Sequence, residues 1–174
     1  MATTDATHLE GIRPEDIRIT YTTADVDLSV FHAFFDAALA DIRARYGRTY
    51  SLHIGDQALA SEAPTLADTS PADTRVVLGH FQAGTAAQAD LAVQTARTAF
   101  AAWGSTPWTE RVAILRRAAD IVRKRKFELA AVMAVEVGKN RFEAIGDAEE
   151  SADLIDYYCQ QMTDHNGYIQ ELDR

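Results

Sequence analysis

Cys159 is the side chain in this sequence that could act as a thiolate nucleophile, because the chain contains no other cysteine. It lies on an apolar helical stripe beside Tyr157 and Tyr158. A cysteine buried on such a face behaves as a small, inert hydrophobic residue, since the thiolate is disfavoured there. We therefore predict that Cys159 is a core residue. A single cysteine also excludes an intrachain disulfide, which suits a reducing compartment.

The glycines and histidines do not form a cofactor or metal motif. Gly79 and Gly84 lack the spacing of a dinucleotide-binding fingerprint, in which three glycines between a strand and a helix admit a pyrophosphate. The five histidines also lack the spacing of metal ligands. They are His8, His32, His53, His80 and His165. The sequence therefore predicts neither a nucleotide site nor a metal site within this chain.

Charged residues cluster in two short stretches of an acidic chain. The net charge is -9, which argues against a nucleic-acid partner because such binding needs a basic surface. We interpret the basic run at residues 123–126 as a solvated helix end that partners nearby acidic groups. Glu143, Asp147 and Glu150 recur at helical spacing, and such a stripe is typical of a solvated face.

The composition is that of a soluble globular protein about the size of one domain. Hydrophobic residues make up 47% and charged residues 25% of the 174 residues. No run approaches the roughly 18 apolar residues of a membrane span. The first residues lack a basic cluster and an apolar segment, and they carry Asp5 and Glu10, so no targeting signal is expected. These features predict a cytoplasmic protein with no membrane partner.

The first third of the chain predicts an arm and one helix. Residues 1 to about 25 lack periodicity, and we interpret them as a loose or docked arm. Apolar residues then recur at helical spacing from Val30 to Tyr46, and Gly47 follows as a stop signal. This pattern is typical of an amphipathic helix.

The next segment predicts strands. Residues 50–60 alternate around a Gly55-Asp56 turn, which favours a hairpin. Residues 61–74 are rich in Ala, Ser, Thr, Asp and Pro and are predicted to be a loop. Residues 75–81 predict a short strand. Two or three strands are too few for an independent sheet, so they are expected to pack on something larger.

Four helices are predicted after Gly84. They begin at Thr85 with Gln88 in a capping box, at Thr106-Pro107, near Phe127, and at Asn140 with Glu143 in a second capping-box pattern. The first carries the apolar stripe Ala89, Val93, Ala96, Phe100 and Trp103, and the inner face of the second uses Val112, Leu115, Ala119 and Val122. The third ends at Gly138. The last is apolar on two sides, with Leu154, Tyr157 and Tyr158 away from its main stripe, and residues 168–172 alternate like an unpaired strand. Because both sides of such a helix must be covered, we expect a piece of a larger protein.

The order of several short motifs resembles the opening section of the aldehyde dehydrogenase superfamily. The motifs are Tyr50 to Gly55, Ser70-Pro71-Ala72-Asp73, Val77 to Gly84, the helix Ala89 to Trp103, Arg111 to Ala119, Glu136-Val137-Gly138-Lys139-Asn140 and Ile155-Asp156-Tyr157-Tyr158. Each is unspecific alone, but their order and spacing are not. Within the superfamily the chain is most similar to the delta-1-pyrroline-5-carboxylate dehydrogenases, also called L-glutamate gamma-semialdehyde dehydrogenases. The helix before Tyr50 and residues 149–153 contribute to that similarity.

This resemblance implies an α/β, aldehyde dehydrogenase-like fold, of which the chain is an N-terminal fragment. The fragment would be mostly helical, with a short β-hairpin and isolated strands, and without the Rossmann core. Residues 1–48 would be an arm and amphipathic helix, and residues 49–174 the incomplete leading segment of the cofactor domain. The complete protein is implied to be a homo-oligomer that oxidises glutamate semialdehyde to glutamate with NAD in proline catabolism. In the family, a cysteine thiolate attacks the aldehyde, hydride passes to NAD, and a glutamate-activated water releases the acid.

The resemblance also implies that the catalytic and NAD-binding residues lie outside this chain, which alone would be inactive. The segment 136–139 is one residue shorter than the family's Glu-Leu-Gly-Gly-Lys general-base motif and ends a helix elsewhere in the chain, so Gly138 is interpreted as a helix terminator. Glu150 matches a glutamate that lines the substrate tunnel in this branch. It is therefore a substrate-tunnel candidate, with membership of the solvated stripe as the alternative. Ser70 stands where the family commonly has Asn, at a position expected to shape a loop.

Two alternative functions remain open from the sequence. One is another NAD(P)-dependent aldehyde dehydrogenase with a different small aldehyde substrate. The other is a free-standing acidic helical protein that acts as an interaction module. The reading frame beyond Arg174 discriminates between enzyme and module. A Rossmann unit and a catalytic cysteine motif would favour the enzyme, and a stop codon would favour the module.

Overall fold

The computed structural model describes residues 11–13, 16–17 and 28–169, so most of the arm predicted over residues 1–25 lies outside the described part. Its elements in chain order are α1 (Leu28–Arg43), β1 (Arg48–Tyr50), β2 (Leu52–Ile54), β3 (Gln57–Leu59), β4 (Thr65–Ser70), β5 (Asp73–Gln82), α2 (Ala86–Ser105), α3 (Trp108–Lys124), α4 (Lys126–Glu136) and α5 (Arg141–Asp164).

The chain divides into two compact units. The first, here called the helical unit, comprises Met1–Ile42, Pro107–Ala134 and Lys139–Arg174. The second, the sheet unit, comprises Arg43–Thr106 and Val135–Gly138. Among the described helices of either unit, none is both long and apolar enough to cross a membrane.

The sheet unit contains a three-stranded sheet of order β1-β5-β4 and the separate hairpin β2-β3. The hairpin is antiparallel and turns at Gly55, whose φ of 64° is the left-handed conformation that glycine adopts without strain. This confirms the predicted Gly55-Asp56 turn. The predicted strand at 75–81 is also confirmed, as part of the longer β5, which pairs in parallel with β1.

The prediction of a loop over residues 61–74 is wrong, because β4 occupies Thr65–Ser70 and β5 begins at Asp73. β4 runs antiparallel to β5, with Leu66 opposite Phe81, and a bulge interrupts the register between Asp68 and Ser70. Ala and Asp are poor strand formers in isolation. Pairing along the whole length of β5 outweighs that local preference, and the composition of the segment could not show it.

One face of this sheet carries an exposed row of apolar side chains. The Tyr50 and Phe81 rings stack with centroids 5.1 Å apart, and the register places Leu66 on the other side of Phe81. Gly79 makes room for the stack, since a Cβ at this position would lie 2.9 Å from the Tyr50 ring. The sheet unit therefore presents an apolar surface that residues of this unit leave partly exposed.

α2 begins with the predicted capping box. The Thr85 hydroxyl accepts from the Gln88 backbone N–H, and the Gln88 side chain accepts from the Thr85 N–H. Within the described residues, however, α2 has no buried side chain. The stripe predicted from Ala89 to Trp103 is present in sequence but exposed, and Phe100 is 74% accessible. In this chain α2 is therefore held by local contacts more than by burial.

The core of the helical unit is built around Phe31 of α1. Phe31 is fully buried and contacts the rings of Phe35, Phe127 and Phe142. α1 matches the predicted amphipathic helix, although it ends at Arg43 and the chain then turns to Gly47, which has a φ of 73°. The same cluster contains the following small or aliphatic buried residues: Ile17, Val30, Ala130, Ala144 and Ile145.

Arg141, the first residue of α5, joins that helix to α1. Its guanidinium donates to the Asp36 carboxylate at 2.5 Å and lies 3.2 Å from Nδ1 of His32. The guanidinium carbon also lies 4.8 Å from the centre of the Phe35 ring, a cation–π arrangement. Asn140 caps the helix by accepting from the Glu143 N–H, as predicted.

The prediction that Leu115 lies in the core is wrong, because its side chain is 46% exposed in this chain. α3 packs on α5 through Val112 and Ala119, with Arg123 continuing the same face. At about 100° per residue, Leu115 lies about 60° around the helix from Val112. The sequence pattern centred the inner face between these two residues, whereas the contact with α5 is centred near Val112, with Ala119 and Arg123 about 20° to either side of it.

We expect Val112→Ala to destabilise the 174-residue chain by about 2 kcal/mol, because it removes two buried methyl groups and leaves a cavity. Leu115→Ala is expected to cost less than about 0.5 kcal/mol, the range of surface substitutions. Urea denaturation followed by circular dichroism measures both. The reverse order of the two losses would mean that α3 is rotated towards Leu115.

Two predicted helix and strand ends need correction. Thr106 closes α2 and does not cap α3, whose N-cap is Pro107 without a side-chain hydrogen bond. Tyr168, the predicted start of a strand, lies in a 3-10 turn at Asn166–Tyr168, and the rest of the predicted strand lies outside the described residues. A Cβ at Gly167 would lie 2.6 Å from the Trp108 ring. The close approach of Trp108 thus favours a compact turn here.

Candidate functional site

Glu150 projects from the exposed side of α5, together with Leu154 one turn later and Tyr157 two turns later. Tyr158 lies beside them, and the two tyrosine rings meet edge to face with centroids 5.4 Å apart. We call these four residues the outer face of α5. A carboxylate flanked by leucine and tyrosine can pair with a cation and contact an aliphatic chain at the same time.

The acidic stripe that includes Glu150 is not uniform. Lys139 forms an ion pair with Asp147, whose side chain is partly buried. Glu143 lies in the first turn of α5, where its negative charge is favoured by the helix dipole. Both of these residues thus have structural roles close to the start of the helix. The substrate-tunnel assignment of Glu150 stays a prediction.

A neighbouring side of α5, about 100° around the helix from Glu150, carries a buried carboxylate that no sequence pattern indicated. Glu149 is only 7% exposed and forms an ion pair with Lys126, which is 1% exposed. The prediction that residues 123–126 form a solvated helix end is therefore wrong for Lys126. Lys126 also donates to the backbone carbonyl of Ile17. A signal was available, since Lys126 sits among the apolar positions that begin α4, but only tertiary packing determines which way it points.

Arg123 and Arg125 of the basic run do partner acidic groups, as predicted. Arg123 donates to Asp153 at 2.9 Å and to Asp156 at 2.6 Å, both on α5. Partial burial lowers the pKa of Arg123 by removing water from its charge. The hydrogen bonds to the two carboxylates outweigh that effect, and the pKa of Arg123 is raised above its ordinary value. Arg125 pairs with Glu128 one turn later, and this hydrogen-bonded pair raises the pKa of Arg125.

Cys159 lies in the interface between α5 and α3. It is 2% exposed, and its thiol points to the Val112 carbonyl oxygen at 3.8 Å. This confirms the prediction that Cys159 is a core residue. A thiol enclosed by two packed helices cannot reach an aldehyde without opening the unit.

Gly138 ends the segment after α4 with a φ of 74°, which agrees with its interpretation as a helix terminator. Ser70 differs from expectation, because it is the last residue of β4 and is buried. Its hydroxyl donates to the Val135 carbonyl oxygen at 2.8 Å. Val135 lies in the last turn of α4, where carbonyl groups lack helical partners. Ser70 thus supplies a hydrogen bond that the helix end requires.

The described residues do not fit NAD. The connection most like a dinucleotide site runs from β5 through Gly84 to α2, but it contains one glycine in place of a fingerprint. The Gln88 backbone N–H at the start of α2 also donates to the Thr85 hydroxyl, so this donor is not available to a phosphate. The same described residues contain no group of three or more His, Cys, Asp or Glu side chains that could hold a metal ion.

The architecture described above, a mostly helical chain with a short three-stranded sheet and a hairpin, can be compared with known families. Residues 59–174 match the aldehyde dehydrogenase family, and the chain belongs to that family. The fold is aldehyde dehydrogenase-like, and the chain corresponds to an N-terminal part of it.

Its relatives point to one branch of that family. The chain is 38% identical over 128 residues to 1-pyrroline-5-carboxylate dehydrogenase 2 of Bacillus subtilis, covering 74% of this chain and 25% of that protein. It also resembles the structure of a variant of 1-pyrroline-5-carboxylate dehydrogenase from Thermus thermophilus, with a TM-score of 0.79 and 30% identity over 91% of this chain and 30% of that one. The Thermus enzyme with bound NAD gives a TM-score of 0.78 at 28% identity, with the same coverage. The chain thus spans about a quarter of the length of these curated relatives.

Proposed function

We propose that this chain is the N-terminal part of an NAD-dependent oxidoreductase that converts L-glutamate gamma-semialdehyde to glutamate in proline catabolism. The observation that carries the proposal is its 38% identity to a 1-pyrroline-5-carboxylate dehydrogenase over three quarters of the chain. The structural similarity to the Thermus enzymes at 28–30% identity supports it. On the same resemblance we propose a cytoplasmic homo-oligomer that acts on this small aldehyde.

NAD would supply the hydride acceptor in the complete protein, and residues outside this chain would hold it. The contribution of the chain's own residues is substrate contact from the outer face of α5. Glutamate semialdehyde carries an ammonium group that a carboxylate such as Glu150 can pair with. Its methylene chain can pack against Leu154 and Tyr157 on the same face. The chain therefore contributes binding and orientation, which lower the barrier by fixing the reacting geometry.

The test of the proposed function is an activity assay on the complete product of the gene. We expect NAD reduction with glutamate semialdehyde at a much higher kcat/KM than with an unsubstituted aldehyde of the same length. An equal kcat/KM for both would assign the protein to a different branch of the family. No turnover of any aldehyde would contradict an oxidoreductase.

Glu150→Ala in the complete protein is expected to lower kcat/KM for glutamate semialdehyde at least tenfold, about 1.4 kcal/mol of transition-state stabilisation. The reason is the loss of the carboxylate that pairs with the ammonium group. The unsubstituted aldehyde lacks that group and should be unaffected. Steady-state kinetics with both substrates measure the change.

Glu143→Ala is the matched control, because it removes an exposed glutamate from the same helix near its start. It should leave both values of kcat/KM within twofold. Glu150→Gln should show most of the loss if charge is responsible. Full activity of Glu150→Ala would mean that Glu150 does not contact the substrate and belongs to the solvated acidic stripe.

A further inference from the structure

Lys126 is the most buried charged residue of the described chain and is not used by the proposed reaction. Its ammonium contacts groups from two distant parts of the sequence, the Glu149 carboxylate on α5 and the Ile17 carbonyl oxygen, 109 residues before it. Ile17 is itself buried, at 6% exposure, in the core cluster with Phe31. Lys126 thus lies where three segments meet.

The stability of α4 alone does not explain this arrangement. Lys126 is the first residue of that helix, where the helix dipole disfavours a positive charge. Burial of the ammonium group adds a desolvation cost that a partner of opposite charge only partly offsets. A methionine would fill similar space without either cost. A methionine, however, could not donate to the Ile17 carbonyl as Lys126 does.

Arg13 and Asp16, which precede Ile17, are paired with each other. Arg13 and Asp16 form a two-point ion pair, with the guanidinium nitrogens 3.0 and 2.8 Å from the carboxylate oxygens. Hydrogen bonds from Arg13 lower the pKa of Asp16, and the charge of Lys126 acts in the same direction. The Arg13–Asp16 pair thus orders the described residues next to Ile17, and Ile17 contributes a buried side chain and a backbone carbonyl to the helical unit.

We propose that Lys126 and Glu149 form a latch that docks the backbone at Ile17, and with it the Arg13–Asp16 pair, on the helical unit. Glu149 holds the buried Lys126 side chain in position, and Lys126 donates to the Ile17 carbonyl. This arrangement couples the docking of Ile17 to α5. Removal of Glu149, a residue of α5, weakens the hydrogen bond from Lys126 to the Ile17 carbonyl. The helices can pack without the latch, but the segment cannot stay docked without it.

Amide hydrogen exchange with mass spectrometry on the whole 174-residue chain tests this coupling. Lys126→Met should speed the exchange of residues 11–17 at least tenfold, and Glu149→Gln should speed it in the same sense. The double variant Lys126→Met/Glu149→Leu removes both charges, which commonly preserves or raises stability. In this double variant, residues 144–152 of α5 should exchange at the parent rate. Residues 11–17 should still exchange fast, since the Ile17 carbonyl lacks its donor.

Arg125→Ala is the control, because it removes the neighbouring exposed pair with Glu128 and should leave residues 11–17 protected. Parent-like exchange of residues 11–17 in folded Lys126→Met would overturn the latch. The double variant decides the case if Lys126→Met does not fold. Slow, parent-like exchange of both residues 11–17 and residues 144–152 in the double variant would contradict the latch, because it would show that the Lys126–Glu149 pair acts through packing alone. None of these readouts depends on the proposed enzymatic function.

Discussion

Phe31→Ala is expected to destabilise the chain by about 3–5 kcal/mol, the range typical of replacing a buried phenylalanine or tryptophan with alanine. Phe31 is completely buried and touches aromatic rings from three helices: Phe35 of α1, Phe127 of α4 and Phe142 of α5. Its removal opens a cavity at the point where these helices meet. Urea denaturation followed by circular dichroism gives the change in free energy of unfolding.

Phe100→Ala serves as the matched control, since Phe100 is the same residue type but is 74% exposed on α2. It should cost less than about 0.5 kcal/mol. Equal losses for the two variants would show that the aromatic cluster of α1, α4 and α5 is not the core of the helical unit.

Residues 1–174 alone are expected to show no NAD reduction with glutamate semialdehyde and no NAD binding. Cys159 is enclosed between α3 and α5, and the described residues form no dinucleotide fingerprint. The complete protein is the control under the same conditions, with NADH formation and calorimetric titration of NAD as the two measurements. Turnover by the 174-residue chain would mean that nucleophile and cofactor residues lie within it after all.

The features that the sequence predicted correctly depend on local signals. α1 follows from apolar spacing, the start of α2 from the Thr85 and Gln88 pair, and the hairpin from Gly55. Each involves residues within a few positions of one another, where side chain and backbone interact before any tertiary contact forms. The burial of Cys159 was also predictable, because its helix carries apolar residues at regular spacing on that side.

The features that the sequence did not predict depend on partners far along the chain. β4 exists because β5 pairs with it, and Lys126 is buried because Glu149 and Ile17 meet its ammonium. Leu115 has the spacing of a core residue, yet the position of α5 selects a neighbouring face of α3. Periodicity gives the apolar sector of a helix but not the centre of its contact.

The candidate site shows the same limit. Glu149 and Glu150 are adjacent and chemically identical, but the first is buried against Lys126 and the second is exposed. Glu150 entered the site through resemblance to a family, because spacing placed it on an ordinary acidic stripe. No pattern within the chain distinguishes a solvated carboxylate from one that faces a substrate.

The exposed position of α2 also bears on how this chain acquires its structure. Eight of the 20 residues of α2 are alanine, the strongest helix former, and its first turn is closed by its own capping box. A helix of this length and composition needs little help from distant residues. Contacts close in sequence form fastest, since little loop entropy is lost in making them. We therefore expect α2 to form early in folding. The β4–β5 pair, whose strands are joined by a tight turn, can form next and does not require the helices of the other unit.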